Sequence, residues 1–238
     1  MQHDDGLLIE TALLAGILIL ENGGETFRVE ETVVSFCRAG GYENASAIAF
    51  PTGIFLTVTN DANSKTSIRR INKRGVDLYR LSLANDVSRR FVKGEISLAK
   101  AREELEKVSV DKGPKKIRML LASAFAAAFF AVLFGGDLFD GAVAFVAGFV
   151  IRLISMWFKN ISIYNFAVSF IGGAVIAALA VCAVGLFQIG NVKSIIVGAT
   201  MPILPGLMLT GAIRDSVMGD LIAGASRLVQ ILSGCIKL

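Results

Sequence analysis

Charged side chains become scarce in this chain after Arg118, and that constrains its fold more than any other feature. Of 24 Lys and Arg and 20 Asp and Glu, 33 lie in residues 1–116 and 11 in the remaining 122. Met119–Gly136 runs 18 residues without a charge, and Asn160–Val192 runs 33. At roughly 1.5 Å rise per residue, an uncharged helix of about 18 residues is long enough to cross the hydrocarbon of a bilayer. The predicted fold is therefore an α-helical polytopic membrane protein of about five transmembrane helices with an N-terminal cytoplasmic α/β domain. The boundaries expected are 1–116 for the soluble domain and 117–238 for the membrane domain, with spans at 119–136, 141–158, 164–187, 194–213 and 217–236.

Within residues 1–116 the periodicity changes twice. Leu7, Leu14 and Leu18 recur at helical spacing and predict an amphipathic helix ending at Asn22-Gly23-Gly24. A second helix is expected from Glu25, with Val29, Val33 and Phe36 on one face. Ile48 and Phe50, then Ile54, Leu56 and Val58, alternate with period two around Pro51-Thr52-Gly53. A turn at Asp61–Ser64 leads into an expected strand over Thr66–Lys73. Two more helices follow, one carrying Val76, Tyr79, Leu83, Val87 and Phe91, the other Leu98, Ala101, Leu105 and Val108 behind a Ser97 N-cap. Ala12–Leu20 is too short an apolar run to span, and no secretory signal opens the chain.

The net charge of +4 comes largely from loops, and no basic stripe interleaved with aromatics calls for nucleic acid. Cys37, Cys182 and Cys235 are scattered, and His3 is the one histidine, so neither a disulfide framework, a metal site nor histidine catalysis is expected. No GxxxxGK[ST] pattern is present, so no nucleotide or other cofactor is expected and transport would draw on the proton gradient.

The membrane half holds one anomalous stretch, Gly198–Arg227. Pro202, Pro205, Gly206 and Gly211 interrupt a helix there, and Arg214, Asp215, Asp220 and Arg227 bring charge. Proline removes a helical hydrogen bond, and carbonyls freed in a bilayer need partners in protein or in a wet cavity. Ionisable groups at such depth cost several kcal/mol and mark pathways or binding sites. Two readings of Asp220 and Arg227, two turns apart on one helix face, stay open: an ion pair that aids packing, or Arg227 on a substrate carboxylate with Asp220 on an ammonium group or a proton. Thr200, Thr210 and the backbone around Pro202, Pro205 and Gly206 are candidates to complete the substrate site. Arg214 and Asp215, at the turn between the fourth and fifth spans, read either as a solvated pair or as a gate.

Glu21–Glu30 (ENGGETFRVE), Pro51-Thr52-Gly53 and Asn85–Arg90 (NDVSRR) in the first half, with Pro205-Gly206-Leu207 and Ala212–Asp215 (AIRD) in the second, resemble the threonine/serine exporter family. The resemblance covers nearly the whole chain and implies an exporter of threonine- and serine-type amino acids. Fused members have about ten spans. A chain of half that number is similar to the larger half of the split form, which implies succinate or another dicarboxylate as an alternative cargo and a small partner membrane subunit. A further alternative is a membrane-anchored hydrolase, although no Ser/His/Asp or Cys/His arrangement supports one.

The basic collar Lys112, Lys115, Lys116 and Arg118, with Lys159 and Arg214, sets six positive charges on one side against Lys193 and Lys237 on the other. Positive charge favours the cytoplasmic side. The expected protein therefore sits in the plasma membrane as a multi-pass oligomer, with its first domain in the cytoplasm and its C-terminus outside.

Overall fold

A computed structural model describes residues 2–60, 63–72, 75–111, 113, 115–158 and 164–236. The chain forms two compact units, Met1–Gly113 with Gly206–Gln230, and Pro114–Pro205 with Ile231–Leu238.

The first unit is arranged around α1 (Gln2–Glu21), which packs against α2 (Thr26–Ala39), α3 (Leu78–Val92), α4 (Leu98–Val110) and the sheet. The spacing of its leucines predicts an amphipathic helix, yet Leu8, Ala12, Leu13, Ala15 and Ile19 bury it on nearly every side. Its one less-buried face, Leu7, Glu10, Leu14 and Ile17, is itself mostly apolar, so the apolar residues form no narrow stripe. It stops at Gly23, whose φ of 97° suits glycine, with Gly24 N–H donating back to the Ile19 carbonyl and Gly23 N–H to that of Leu20. Asp77 caps α3 through the N–H groups of Tyr79 and Arg80, and Ser97 caps α4 through that of Lys100.

β1 (Asn44–Phe50), β2 (Gly53–Asn60) and β3 (Asn63–Arg70) form an antiparallel meander in which Ala47 faces Leu56 and Leu56 faces Ser67. Ala49, Ile54, Leu56 and Val58 turn inward. The third strand begins at Asn63, earlier than the predicted Thr66, because its polar residues carry no period-two signal. Asp61, Ala62 and Lys73 of the expected turn and strand lie outside the described residues.

α9 (Gly206–Val217) and the start of α10 (Leu221–Ile236) complete this unit as a tight hairpin. Gly219, at φ 97°, ends α9 in the same way that Gly23 ends α1, with Asp220 N–H donating to the Asp215 carbonyl. Gly224 lets the two helices touch, since a Cβ there would stand 2.7 Å from the Ala212 carbonyl oxygen.

The second unit contains α5 (Lys116–Leu133), α6 (Leu138–Phe158), α7 (Tyr164–Phe187) and α8 (Val192–Thr200). Among the described residues three helical stretches are long and apolar enough to cross a membrane: Lys116–Leu133, Leu138–Trp157 and Phe170–Phe187, with mean hydropathies of 1.8, 1.9 and 2.5. α8 is packed among the other three helices of this unit. Its Gly198 lies so close to α5 that an added Cβ would meet the Ala131 backbone nitrogen at 2.4 Å. Buried Asp140 accepts hydrogen bonds from the N–H groups of Asp137 and Asn191, tying the start of α6 to the start of α8.

The segment expected as a fourth span, 194–213, is two helices. α8 ends at Thr200 and α9 begins at Gly206, with Pro202 and Pro205 in the turn between them. Neither proline can donate to a preceding carbonyl, so the helix cannot run through. α10, within the expected fifth span 217–236, has 16 residues and is shorter than the three span-length helices.

Candidate functional site

The buried guanidinium of Arg227 is the centre of the polar cluster in the first unit. Arg227 is 8% exposed and Asp215 is wholly buried. Arg227 Nε stands 2.7 Å from Asp215 Oδ2, but its N–H is not aligned with that oxygen, so charge attraction holds the contact without a formed hydrogen bond. Arg227 Nη2 donates to the Gly24 carbonyl at 2.6 Å. The glycine turn that ends α1 thus directs a carbonyl onto a side chain of α10.

The start of α2 explains what the carboxylates are doing. A helix leaves its first N–H groups unpaired and carries partial positive charge at that end. Glu25, at the N-cap, makes no side-chain cap. Asp215 Oδ1 instead accepts from Thr26 N–H at 3.3 Å, and Asp220 Oδ2 accepts from the Thr26 hydroxyl at 2.9 Å. The α9–α10 turn therefore caps α2 from the far end of the sequence. Beside it Arg214 donates to Glu25 at 2.6 Å, and Arg28 stands 3.3 Å from the same carboxylate.

Burial holds the Asp215 carboxyl above the ordinary carboxylate range; Arg227 and Thr26 pull it back and Asp220 pushes it further up. Glu30 is likewise raised, first by burial, then by the nearby charges of Asp220 and Asp215, against the Ala49 N–H that it accepts at 2.7 Å. Burial would also raise Glu25, but its own backbone N–H, Arg214 and Arg28 together take it below the usual range. Acidic and basic groups thus alternate in the cluster, Asp215 beside Arg227 and Glu25 beside Arg214 and Arg28.

Arg227 also borders a cavity of about 20 Å³, lined by Gly23, Pro51, Val76 and Met208 among others. That is room for about one water molecule. An amino acid does not fit there.

Asp215, not Asp220, is thus the carboxylate in contact with Arg227, and Asp220 precedes α10. Arg214, Asp215, Asp220 and Arg227 are gathered in the first unit, where Gly206 and Thr210 also fall; Thr200, Pro202 and Pro205 belong to the second. The Thr210 hydroxyl donates to Leu207 and that of Thr200 to Val197, both along their own helices.

Gly24, Glu25, Thr26, Glu30 and Pro51 were not among the predicted site residues. One signal could have found them: a glutamate at the N-cap of α2 is a poor cap, so that helix start needs an acceptor from elsewhere.

The family model of the threonine/serine exporters, ThrE, matches residues 10–237. No curated protein and no solved structure matches the chain. The motifs at 21–30, 51–53 and 212–215, far apart in sequence, meet around Arg227, and the match takes in all of them. The chain belongs to the ThrE threonine/serine exporter family.

Proposed function

We propose that this chain exports threonine- and serine-type amino acids across the plasma membrane in exchange for protons. The observation that carries the reading is the buried Arg227, whose contact with Asp215 leaves its Nε–H unaligned. A substrate carboxylate in place of Asp215 would take parallel hydrogen bonds from the guanidinium fork, which the present pair does not make. Protonation of Asp215 removes the charge that competes for Arg227, and burial of that carboxyl favours its protonated form. Asp220 receives the substrate ammonium, and Gly206 and Thr210, in the same unit, offer a carbonyl and a hydroxyl. The Arg214–Glu25 and Asp215–Thr26 contacts act as the gate that holds the closed state.

In this reading residues 1–116, with Gly206–Gln230 packed among them, form the cytoplasmic unit, and the three span-length helices between Lys116 and Phe187 cross the membrane. The protein works as an oligomer with a small membrane subunit of the same family. Export of a dicarboxylate such as succinate is a weaker fit, because Asp220 and Glu30 lie close to Asp215 and would repel a second substrate charge.

Purified protein in vesicles loaded with labelled threonine, serine or succinate tests the proposal, with and without an opposing proton gradient and with and without the partner. Threonine and serine efflux that rises with the gradient and exceeds succinate efflux is expected. Efflux of succinate alone, or threonine efflux indifferent to the gradient, would overturn the substrate or the coupling.

A further inference from the structure

A second polar groove lies away from Arg227, between α2 and α3. The two helices run side by side in the same direction: Gly24, just before α2, lies against Leu81, and Phe36 near its end stacks on Phe91 with ring centroids 4.1 Å apart. Arg28, Glu31 and Thr32 on α2 face Asn85, Ser88 and Arg89 on α3, and Lys93 closes one end. The spacing on each helix is that of one face, and the open groove between them holds about 490 Å³, within the range of small-molecule sites.

Three cations, Arg28, Arg89 and Lys93, line it beside the single carboxylate of Glu31. Arg28 also stands 3.3 Å from Glu25 and Lys93 3.9 Å from Glu95. Arg90, next in sequence, is fully engaged with Glu104 at 2.8 Å and Asp86 at 3.5 Å, yet among the described residues no ion pair engages Arg89. Of the paired arginines in the NDVSRR motif, one therefore joins α3 to α4 and the other is left to the groove. Ser88 donates its proton to the Ala84 carbonyl and Asn85 an amide proton to that of Leu81, which anchors both on the groove floor.

We propose that this groove binds a small phosphate ester. A dianionic phosphate can accept from two or three separated cations at once, whereas a carboxylate is satisfied by a single arginine fork. Arg89 and Lys93 hold the phosphate, Arg28 adds a third donor, and Glu31 accepts from a hydroxyl on the body of the ligand. Phe27 and Val92 give that body an apolar wall. The groove is distinct from the Arg227 cluster, and Arg28, which also pairs with Glu25, is the one residue the two share.

Titration of the full-length protein in detergent with AMP, glycerol 3-phosphate and inorganic phosphate, followed by calorimetry, tests this. Both esters should bind saturably and more weakly as salt rises. R89Q and K93Q should each weaken binding by about tenfold or more, the loss expected for one charge-assisted hydrogen bond. R89K should retain part of it, and R102Q on α4, outside the groove, should leave it unchanged. Absence of saturable binding, or binding intact in the R89Q/K93Q double variant, would overturn the proposal. Succinate binding as tightly as the esters would overturn the phosphate assignment. If Arg89 and Lys93 serve only to offset the C-terminal dipole of α3, the variants will lower the melting temperature with no ester bound by the parent protein, and the proposal fails.

Discussion

Asp215 does three jobs with one carboxylate: it neutralises Arg227, caps α2 through Thr26 and keeps company with Asp220. Such a group resists ionising, and the sign of the consequence follows. An acid whose folded pKa is raised holds a proton that the unfolded chain has already released above about pH 3.9. Stability from that proton is present at low pH and is lost as pH rises through the raised value. D215N should therefore flatten the fall in melting temperature between pH 4 and neutrality relative to the parent protein, and E30Q should do the same. A steeper fall in D215N would show that the pairing with Arg227 outweighs burial.

At the scale of elements, most of the first domain is legible in the sequence because its signals are local. Ser97 caps α4 and period-two alternation marks β1 and β2, and in the second unit the prolines at 202 and 205 end α8. The burial of α1 and the convergence of distant motifs on Arg227 are not legible, since periodicity records which face is apolar and not what covers it. Close packing shows the same limit. In Gly172-Gly173, which reads as a helix contact, Gly172 does approach Ile151 of α6, but nothing approaches an added Cβ at Gly173, whereas Gly148 and Gly198 touch α5 directly. G198L should accordingly destabilise the second unit by roughly 1–3 kcal/mol or more, the usual cost of overpacking. G173L should leave the stability within about half a kcal/mol of the parent, as surface changes away from packed contacts do. Equal effects of the two would contradict the packing described.

For the whole molecule, charge asymmetry divides the sequence near residue 116, while the structure returns Gly206–Gln230 to the company of the first residues. That return brings a C-terminal arginine to an N-terminal carbonyl and makes the cluster around Arg227 a shared property of both ends of the chain. Its role in export is the central claim, and efflux of threonine from loaded cells tests it most directly. R227Q removes the charge, and R227K keeps the charge while losing the planar fork. At matched membrane abundance, both should reduce efflux by about tenfold or more, as expected for one charge-assisted contact. Efflux equal to the parent protein in either variant would contradict the account.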